Sequence, residues 1–346
     1  MLEPLNNLPE IARLRELIDR AKEIVITCHV SPDGDAIGSS LAMQRVMSRL
    51  KKIAWVVTPD LAPRSLGFLP GVHDIIAASQ KPARARELMA RADLVVCLDF
   101  NAIMRVDKLG DSLRTSPAPK VLIDHHLYPE SFAEVIISRP EASSTCYLLY
   151  NVLCALGMDS LIDREAAECI YTGMMTDTGG FTYNSNDPGL YLVIAALLER
   201  GFDKDRIYKL VFDTSSETRL RLCGYALYKK MMVFPEHRAA LITLSCEELA
   251  EFNYCKGDTE SLVNRPLAMP GVVWSVFLRE DEHGFVKVST RSKGHFPVNK
   301  VCERHFGGGG HENAAGGEFY GSLDEAVAVL LEAMPEYDRY LPKSKK

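Results

Sequence analysis

The apolar residues in the first half of the chain form short continuous runs, separated by segments of helical periodicity. The runs rich in β-branched residues lie at 23–28, 52–57, 93–99, 120–124 and 134–138. Helices are predicted between and after them, at 36–50, 144–157, 164–176 and 188–199. Continuous apolar runs are typical of strands covered on both faces, and their alternation with helices indicates a parallel sheet. The pattern therefore predicts an α/β fold with a doubly wound parallel sheet.

The pattern changes after residue 200. Residues 201–231 are charged and have helical spacing, so we predict a helical linker there. Beyond the linker, a strand is predicted at 238–245 and a hairpin at 272–292, with helices at 246–252, 297–306 and 322–334. We therefore predict a first domain at 1–200 and a second, smaller α/β domain at 232–346.

Composition and charge exclude several classes of protein. The chain has 346 residues, of which 47% are hydrophobic and 25% charged, and its formal net charge is −6. A chain with this negative balance is not expected to bind duplex DNA generally. The nine cysteines contain no C-x-x-C pair, which is typical of reduced thiols in a cytoplasmic protein. No apolar run reaches the length of a membrane span, and we predict a cytoplasmic location with no membrane partner.

Side chains that can bind metal ions follow the predicted strands or close a predicted helix. They are His29, Asp33, Asp35, Asp99, His125 and Asp177. The carboxyl ends of parallel strands meet at one edge of a sheet, where ligands bind. Three of the carboxylates also have a simpler explanation: Asp33 can cap the next helix, Asp99 can occupy a strand-end turn, and Asp177 a helix C-terminal turn. Ser143, Ser144 and Thr145 are most simply explained as a cap for the helix that follows.

Four carboxylates and two imidazoles are too many ligands for one cation, so at least one carboxylate is expected to bridge two ions. Oxygen and imidazole ligands suit Mn²⁺, Mg²⁺ or Co²⁺ better than a structural zinc site, which usually recruits thiolates. A pair of such ions activates water and binds phosphoryl oxygens. The residues therefore predict a two-metal phosphoester hydrolase.

Several motifs in this order resemble a known family. They are HVSPDGDAIGSS, CLDF, IDHH, GMMTDTGGF and STRSKGHFPVNKVCERHFGGGGHENAAGG. The chain resembles the DHH phosphoesterases that carry a DHH-associated C-terminal domain, and among them the bifunctional oligoribonuclease and pAp-phosphatase type. The resemblance implies that residues 1–200 form the catalytic, metal-binding domain and residues 232–346 the substrate-binding domain.

The resemblance implies a role for each residue of the first domain. His29 and Asp33 would bind one Mn²⁺, whereas Asp35, His125 and Asp177 would bind the other. Asp99 would bridge the two ions. His126 would face the substrate phosphate as a hydrogen-bond donor or general acid, and Asp124 would orient the imidazoles without touching a metal. His126 and Asp99 are thus the expected catalytic residues.

In the second domain, the resemblance implies that a phosphate or nucleotide binds to Arg291, Ser292, Gly308, Gly309, Gly310 and His311. The residue types agree with this role. Glycines let backbone N–H groups approach an anion closely, and the guanidinium of Arg291 can bind a phosphate through two hydrogen bonds. The simpler alternative for the glycine run is a flexible loop.

We therefore expect an enzyme with two Mn²⁺ ions, or Mg²⁺ or Co²⁺, that hydrolyses very short RNA to nucleoside monophosphates and removes the 3′-phosphate of pAp. Its partners would be short single-stranded RNA or nucleotides, and a homodimer is one option. Alternative enzyme activities are a phosphodiesterase for cyclic or linear dinucleotides and a pyrophosphatase or exopolyphosphatase. A different class of protein, a nucleotide-binding regulator, is a further alternative.

Overall fold

The computed structural model describes residues 5, 8–213 and 215–342. The chain divides into two compact units, Met1–Thr214 and Ser215–Lys346, and each unit contains its own six-stranded sheet. Within the described ranges, no helix is both long enough and apolar enough to cross a bilayer.

Parallel strands form the sheet of the first unit. The strands are β1 (Glu23–Thr27), β2 (Ile53–Thr58), β3 (Ile76–Ala77), β4 (Leu94–Leu98), β5 (Lys120–Asp124) and β6 (Val135–Ser138). They lie in the order β3–β2–β1–β4–β5–β6, and every neighbouring pair is parallel. The helices are α1 (Pro9–Arg20), α2 (Gly34–Arg49), α3 (Pro82–Arg91), α4 (Gly110–Thr115), α5 (Thr145–Ala155), α6 (Arg164–Asp177), α7 (Pro188–Leu198) and α8 (Lys204–Phe212).

Both faces of this sheet are covered, which confirms the predicted doubly wound α/β fold. Ile24 and Ile26 of β1 belong to a core that includes buried residues of α1, α2, α5 and α6. Val25, which points to the opposite face, belongs to a second core with buried residues of α3 and α4. A strand buried on both faces explains the continuous apolar runs in the sequence.

The strand order places a switch point between β1 and β4. The chain builds β2 and β3 on one side of β1 and then places β4 on its other side. At such a point, the connections leave the carboxyl ends of neighbouring strands in opposite directions and open a crevice that commonly binds ligands. The fold therefore creates a place for a site next to the ends of β1 and β4.

Small residues let α2 and α6 approach each other closely. A Cβ atom on Gly38 of α2 would lie 2.5 Å from the carbonyl oxygen of Cys169 in α6. A Cβ atom on Gly173 of α6 would clash with the thiol of Cys146 and would lie 2.9 Å from Oδ1 of Asp35. The two glycines thus allow the acidic start of α2 to lie against α6.

The second unit is a mixed sheet with helices on both faces. Its strands are β7 (Met232–Phe234), β8 (Ala239–Leu244), β9 (Trp274–Glu280), β10 (Val286–Ser292), β11 (Gly309–His311) and β12 (Ala314–Phe319). They lie in the order β11–β12–β10–β9–β8–β7, with β8 and β9 parallel and the other pairs antiparallel. The helices are α9 (Glu217–Tyr225), α10 (Cys246–Glu251), α11 (Val298–His305) and α12 (Leu323–Tyr337).

Two cores stabilise the second unit, one on each face of its sheet. One contains Val276 and Val288 together with buried residues of α11 and α12, and the other contains Phe277 with residues of α9 and α10. The segment 201–231 contributes to both units. Ile207 of α8 is buried in the first unit, and Leu222 of α9 is buried in the second.

Candidate functional site

The ends of three parallel strands and two helices place acidic and imidazole side chains together. His29 follows β1 by two residues, Asp99 follows β4 directly, and His125 follows β5 directly. Asp35 lies in the first turn of α2, and Asp177 is the last residue of α6. The sequence predicted these positions from strand ends and, for Asp177, from a helix end, and the fold brings them together at the switch point.

The metal-capable atoms form overlapping groups. One group contains His29, Asp33 and Asp99, and a second contains Asp35, His125 and Asp177, with the ligand atoms of each group within 4.8 Å of one another. A third combines Asp99 with His125 and His126. The first two groups divide the residues in the same way as the division implied by the family resemblance.

Asp99 lies between the two main groups. Its Oδ2 is 3.4 Å from Nε2 of His29, and its Oδ1 is 3.6 Å from Nε2 of His125. Its backbone has a φ of 65°, in the left-handed region that few non-glycine residues adopt. The residue is only 2% exposed. One buried carboxylate therefore presents a different oxygen to each group.

Backbone carbonyls hold the imidazoles of His29 and His125. Nδ1 of His29 donates to the carbonyl of Val30 at 2.8 Å, and Nδ1 of His125 donates to the carbonyl of Ala142 at 3.2 Å. A carbonyl can only accept, so in the neutral ring the proton is on Nδ1 and the lone pair is on Nε2. This arrangement fixes ring orientation at many metal sites.

Asp33 combines the two roles that the sequence left open. It is the N-cap of α2, and its Oδ1 accepts from the N–H groups of Asp35 and Ala36 at 3.0 and 3.1 Å. The same oxygen lies 3.8 Å from Nε2 of His29. Capping the helix therefore fixes Asp33 beside the imidazole.

The start of α5 holds two of the carboxylates, a feature that the sequence did not reveal. The N–H groups of Thr145 and Cys146 donate to the two oxygens of Asp35 at 2.6 and 2.8 Å. The hydroxyl of Thr145 donates to Oδ1 of Asp99 at 2.9 Å. Ser144 is the cap, because its hydroxyl accepts from the N–H of Tyr147. The capping hypothesis is therefore correct for Ser144 and wrong for Thr145, whose hydroxyl contacts Asp99 instead.

His126 has a different partner from the other imidazoles. Its Nδ1 donates to Oδ1 of the fully buried Asp124 at 2.8 Å, and it lies 3.8 Å from Oδ1 of Asp99. The His125 and His126 rings lie 4.8 Å apart at an interplanar angle of 72°. Asp124 therefore orients His126 directly, whereas backbone oxygen atoms orient His29 and His125.

Burial and mutual repulsion disfavour the charged carboxylates. Burial and the charges of Asp99 and Asp177 raise the pKa of Asp35 well above its usual value. Burial raises the pKa of Asp177 to about 7, although the nearby His125 opposes the change. Divalent cations would relieve this repulsion, and oxygen and imidazole donors suit Mn²⁺ or Mg²⁺. The donor set therefore fits a pair of cations.

The imidazoles respond in the opposite direction. Burial lowers the pKa of His29, but the interactions with Asp33 and Asp99 outweigh it and raise the pKa to about 10. Burial also opposes protonation of His125, whereas Asp35, Asp99 and Asp177 raise its pKa to about 9. The cluster therefore attracts positive charge at both Nε2 positions.

The second unit places two of the predicted phosphate-binding residues on one face of its sheet. Arg291 of β10 pairs with Ala314 of β12, and Ala314 pairs with His311 of β11. Directly paired residues share a face, so Arg291 and His311 lie on the same side with only a methyl group between them. The same face borders a cavity of about 1030 Å³ that Arg291 and Lys287 help to line.

The other predicted residues of this unit have structural contacts of their own. Alternation along β10 places Ser292 on the face opposite Arg291, where its hydroxyl donates to the Phe296 carbonyl at 2.6 Å. Gly309 and Gly310 belong to β11, and a Cβ atom on Gly308 would clash with the carbonyl of Gly316. The glycine run therefore lets β11 and β12 meet closely, so part of it is a strand.

The fold and the first-unit cluster define an α/β enzyme with a carboxylate–imidazole centre at the switch point of a parallel sheet. Residues 23–174 match the DHH family N-terminal domain, and residues 239–336 match the DHHA1 domain. The chain belongs to the DHH family of phosphoesterases.

Similar proteins cover nearly the whole chain. The bifunctional oligoribonuclease and PAP phosphatase NrnA of Thermus thermophilus is 32% identical, over 90% of this chain and 89% of the relative. The crystal structure of an exopolyphosphatase-related protein from Bacteroides fragilis is 48% identical, with a TM-score of 0.94, covering 96% of this chain and 97% of that one. RecJ of Thermus thermophilus in complex with Mn²⁺ is 14% identical with a TM-score of 0.60, covering 99% of this chain and 56% of that one. The RecJ similarity concerns the fold alone.

Proposed function

We propose that this protein is a two-metal phosphoesterase that hydrolyses very short RNA to nucleoside monophosphates and removes the 3′-phosphate of pAp. The position of Asp99 is the observation that carries the proposal. Its two oxygens face His29 and His125, which belong to different groups of metal-capable side chains. A carboxylate in this position suits a bridge between two ions.

In this proposal, His29, Asp33 and Asp99 would hold one ion, and Asp35, His125 and Asp177 would hold the other together with Asp99. We expect Mn²⁺, with Mg²⁺ and Co²⁺ as substitutes, because the ligand atoms are carboxylate oxygen and imidazole nitrogen. When bound, such a pair supplies a water of lowered pKa and neutralises charge on the phosphoryl oxygens.

His126 acts as the proton donor in the proposed reaction. Its Nδ1 is held by Asp124 at 2.8 Å, so the ring has a fixed orientation beside Asp99. A general acid at this position would protonate the departing ribose oxygen as the phosphorus–oxygen bond breaks. The buried Asp124 would keep the ring in this orientation during the proton transfer.

The second unit contributes anion recognition. Arg291 and His311 share one face of the sheet, and the backbone of Gly308–Gly310 lies at its edge strand. We propose that these groups bind a second phosphate of the nucleotide, while Ser292 holds the segment after β10 in place. Both RNA dinucleotides and pAp combine a ribose with phosphates on either side, and the name of the Thermus thermophilus relative joins these two activities.

A substrate comparison tests the proposal. The purified protein is incubated with Mn²⁺ and, in parallel, with an RNA dinucleotide, a longer RNA, pAp, pyrophosphate and a cyclic dinucleotide. We expect the dinucleotide and pAp to react fastest, and chelation of Mn²⁺ to stop both reactions. Failure to hydrolyse either of these two substrates with Mn²⁺, Mg²⁺ or Co²⁺ would contradict the proposal.

A second candidate activity is hydrolysis of pyrophosphate or polyphosphate. The Bacteroides fragilis protein that is 48% identical to this chain is described as exopolyphosphatase-related. The same metal centre would attack a phosphoanhydride, but the proposed anion site in the second unit would then bind phosphate without a nucleoside. Rates for pyrophosphate and polyphosphate far above the rate for pAp would favour this activity and leave the proposed metal centre intact. Preferential cleavage of the cyclic dinucleotide would instead favour a dinucleotide phosphodiesterase.

A further inference from the structure

We propose that Thr145 is a positioning residue that fixes Asp99 as the ligand shared by two metal ions. The proposal rests on the proposed two-metal function, and it concerns a residue that belongs to neither group of metal-capable side chains. Thr145 is the first residue of α5 and is fully buried.

Thr145 contacts two carboxylates of the centre, the proposed shared ligand Asp99 and Asp35 of the second group. Its hydroxyl donates to Oδ1 of Asp99 at 2.9 Å, and its backbone N–H donates to Oδ2 of Asp35 at 2.6 Å. A side-chain contact and a backbone contact can be separated by mutation, because only the first depends on residue type. Substitution of the Thr145 side chain can therefore remove the contact with Asp99 and leave the contact with Asp35 in place.

The capping of α5 does not explain this hydroxyl. The N-cap of the helix is Ser144, whose side chain accepts from the N–H of Tyr147 at 3.0 Å. The hydroxyl of Thr145 donates outward instead, to a residue 46 positions away in the sequence. The Thr145 hydroxyl thus stabilises the orientation of Asp99.

The orientation of Asp99 decides whether it can bridge. Rotation about the terminal torsion of an aspartate is soft, so packing alone fixes its oxygens poorly. The Thr145 contact at 2.9 Å is shorter than the 3.4 and 3.6 Å that separate Asp99 from the imidazoles of His29 and His125. By holding Oδ1 on the His125 side, Thr145 leaves Oδ2 for the His29 side.

Replacement of the hydroxyl gives a direct test. Thr145→Val removes it with little change of shape, Thr145→Ala removes it without a larger apolar group, and Thr145→Ser retains it. All three keep the backbone N–H that donates to Asp35. Thr172→Val is the matched control, because Thr172 is also fully buried and its hydroxyl donates to the Glu168 carbonyl within α6. Circular dichroism establishes that each variant is folded.

The first measurement is independent of catalysis. The full-length protein is loaded with Mn²⁺, and electron paramagnetic resonance detects the magnetic coupling of a bridged pair. We expect wild type, Thr145→Ser and Thr172→Val to show coupled Mn²⁺, and Thr145→Val and Thr145→Ala to show weakened coupling. We also expect the last two to bind the second ion on the order of tenfold more weakly, the usual effect of losing a hydrogen bond to a charged group.

The second measurement is the kinetics with an RNA dinucleotide. Loss of the bridge lowers kcat more than it raises KM in Thr145→Val and Thr145→Ala, and Thr145→Ser restores most of kcat. The proposal is overturned if Thr145→Val and Thr145→Ala keep the coupled signal, or if Thr145→Ser loses it as they do. Wild-type protein that binds no pair of ions would overturn the two-metal function as well. A coupled pair in every variant would overturn only the role of Thr145.

Discussion

Asp99 is the residue in which backbone strain, burial and charge coincide. A left-handed φ of 65° for a non-glycine residue persists only where the surroundings favour it. Asp99 is held by the N–H of its own backbone, which donates to the Ile123 carbonyl at 3.2 Å, and by the hydroxyl of Thr145. The backbone of Asp99 and these contacts therefore direct one side chain toward two groups of metal-capable residues.

The first prediction concerns this carboxylate. Asp99→Asn keeps the shape of the side chain but removes the charge and one acceptor oxygen, so it cannot bridge two cations. We expect kcat for an RNA dinucleotide to fall by about 100-fold or more, with weaker Mn²⁺ binding. Steady-state kinetics and a Mn²⁺ titration measure the two effects.

Asp93→Asn is the control for that prediction. Asp99 directly follows β4, whereas Asp93 directly precedes it. At that opposite end of the strand, the Asp93 carboxylate accepts hydrogen bonds from the N–H groups of Lys22 and Glu23. We expect this variant to lose some stability and to retain Mn²⁺ affinity. Equal loss of metal binding in both variants would mean that the Asp99 effect is merely structural.

The second prediction concerns the Asp124–His126 pair. If Asp124 acts by orienting His126, then its loss matters only while His126 is present. Asp124→Asn and His126→Ala should each lower kcat, and the double variant should be about as slow as His126→Ala alone. Kinetics of the three variants give the coupling between the residues. Additive losses would show that Asp124 acts through another group.

At this scale, residue type and position in the sequence predicted the metal-capable side chains but not their supports. His29, Asp99 and His125 could be identified because each follows an apolar strand and its chemistry is unsuited to a core. Thr145 could not be identified in this way, because the sequence around a hydroxyl at the start of a helix is the same whether the hydroxyl caps the helix or contacts Asp99. That contact joins segments 46 residues apart and depends on the packing of α5 against the sheet.

At the scale of the elements, the contact between α2 and α6 sets the spacing of the metal-capable carboxylates that these helices carry. Asp35 opens α2 and Asp177 closes α6. Gly173 allows this contact, since a Cβ atom there would clash with the thiol of Cys146 and lie 2.9 Å from Oδ1 of Asp35. The close packing of the two helices therefore determines the distance between Asp35 and Asp177.

The third prediction tests this link. Gly173→Ala adds a methyl group that improves helix propensity by about 1 kcal/mol, but we expect overpacking that costs about 1–3 kcal/mol. The net result should be a lower denaturation midpoint together with weaker Mn²⁺ binding. Urea denaturation monitored by circular dichroism measures the midpoint, and a Mn²⁺ titration measures the affinity for the ion.

Gly224→Ala provides the comparison within the same chain. Gly224 lies inside α9, and a Cβ atom on it would meet no atom within 4 Å. We therefore expect the same substitution to stabilise α9 by about 0.5–1 kcal/mol and to leave Mn²⁺ binding unchanged. Stabilisation by both substitutions would refute the close-packing argument for Gly173.

Element prediction succeeded where the hydrophobic pattern was long and failed where pairing decided the structure. The run at 93–99 became β4 (Leu94–Leu98), because a fully buried strand needs a continuous apolar sequence. Strand β3 has only Ile76 and Ala77, which is too short for a pattern, and forms by pairing with the end of β2. Part of the glycine run forms β11 because it pairs antiparallel with β12.

At the scale of the whole molecule, each unit completes its own sheet and its own pair of cores. Among the residues that the structure describes, the metal-capable groups lie in the first unit, and the predicted phosphate-binding residues lie in the second. The sequence indicated two domains through a change of pattern. It could not show which residues of 201–231 pack with which unit, since this depends on the partners of Ile207 and Leu222.

The charge of the metal centre makes the stability of the whole protein depend on pH. In the metal-free protein, the pKa of Asp177 is raised from 3.8 to about 7, and the pKa values of His29 and His125 are raised from 6.5 to about 10 and about 9. Together, these three groups thus hold more protons in the folded state than in the unfolded chain from about pH 4 to about pH 10. Stability falls as pH rises wherever the folded state binds more protons, so these groups should make the metal-free protein less stable as pH rises across this window.

The fourth prediction follows from competition between protons and metal ions. Mn²⁺ must displace the protons on Asp177 and the two imidazoles, so its affinity should increase with pH. Added Mn²⁺ should raise the melting temperature by a small amount at about pH 6 and by a larger amount at about pH 8. Calorimetry with Mn²⁺ or with a chelator measures this difference. Asp177→Asn should weaken the pH dependence below about pH 7, because it removes the carboxyl group that titrates there. A metal-induced stabilisation that is constant or falls with pH would contradict a centre in which these residues bind the ions.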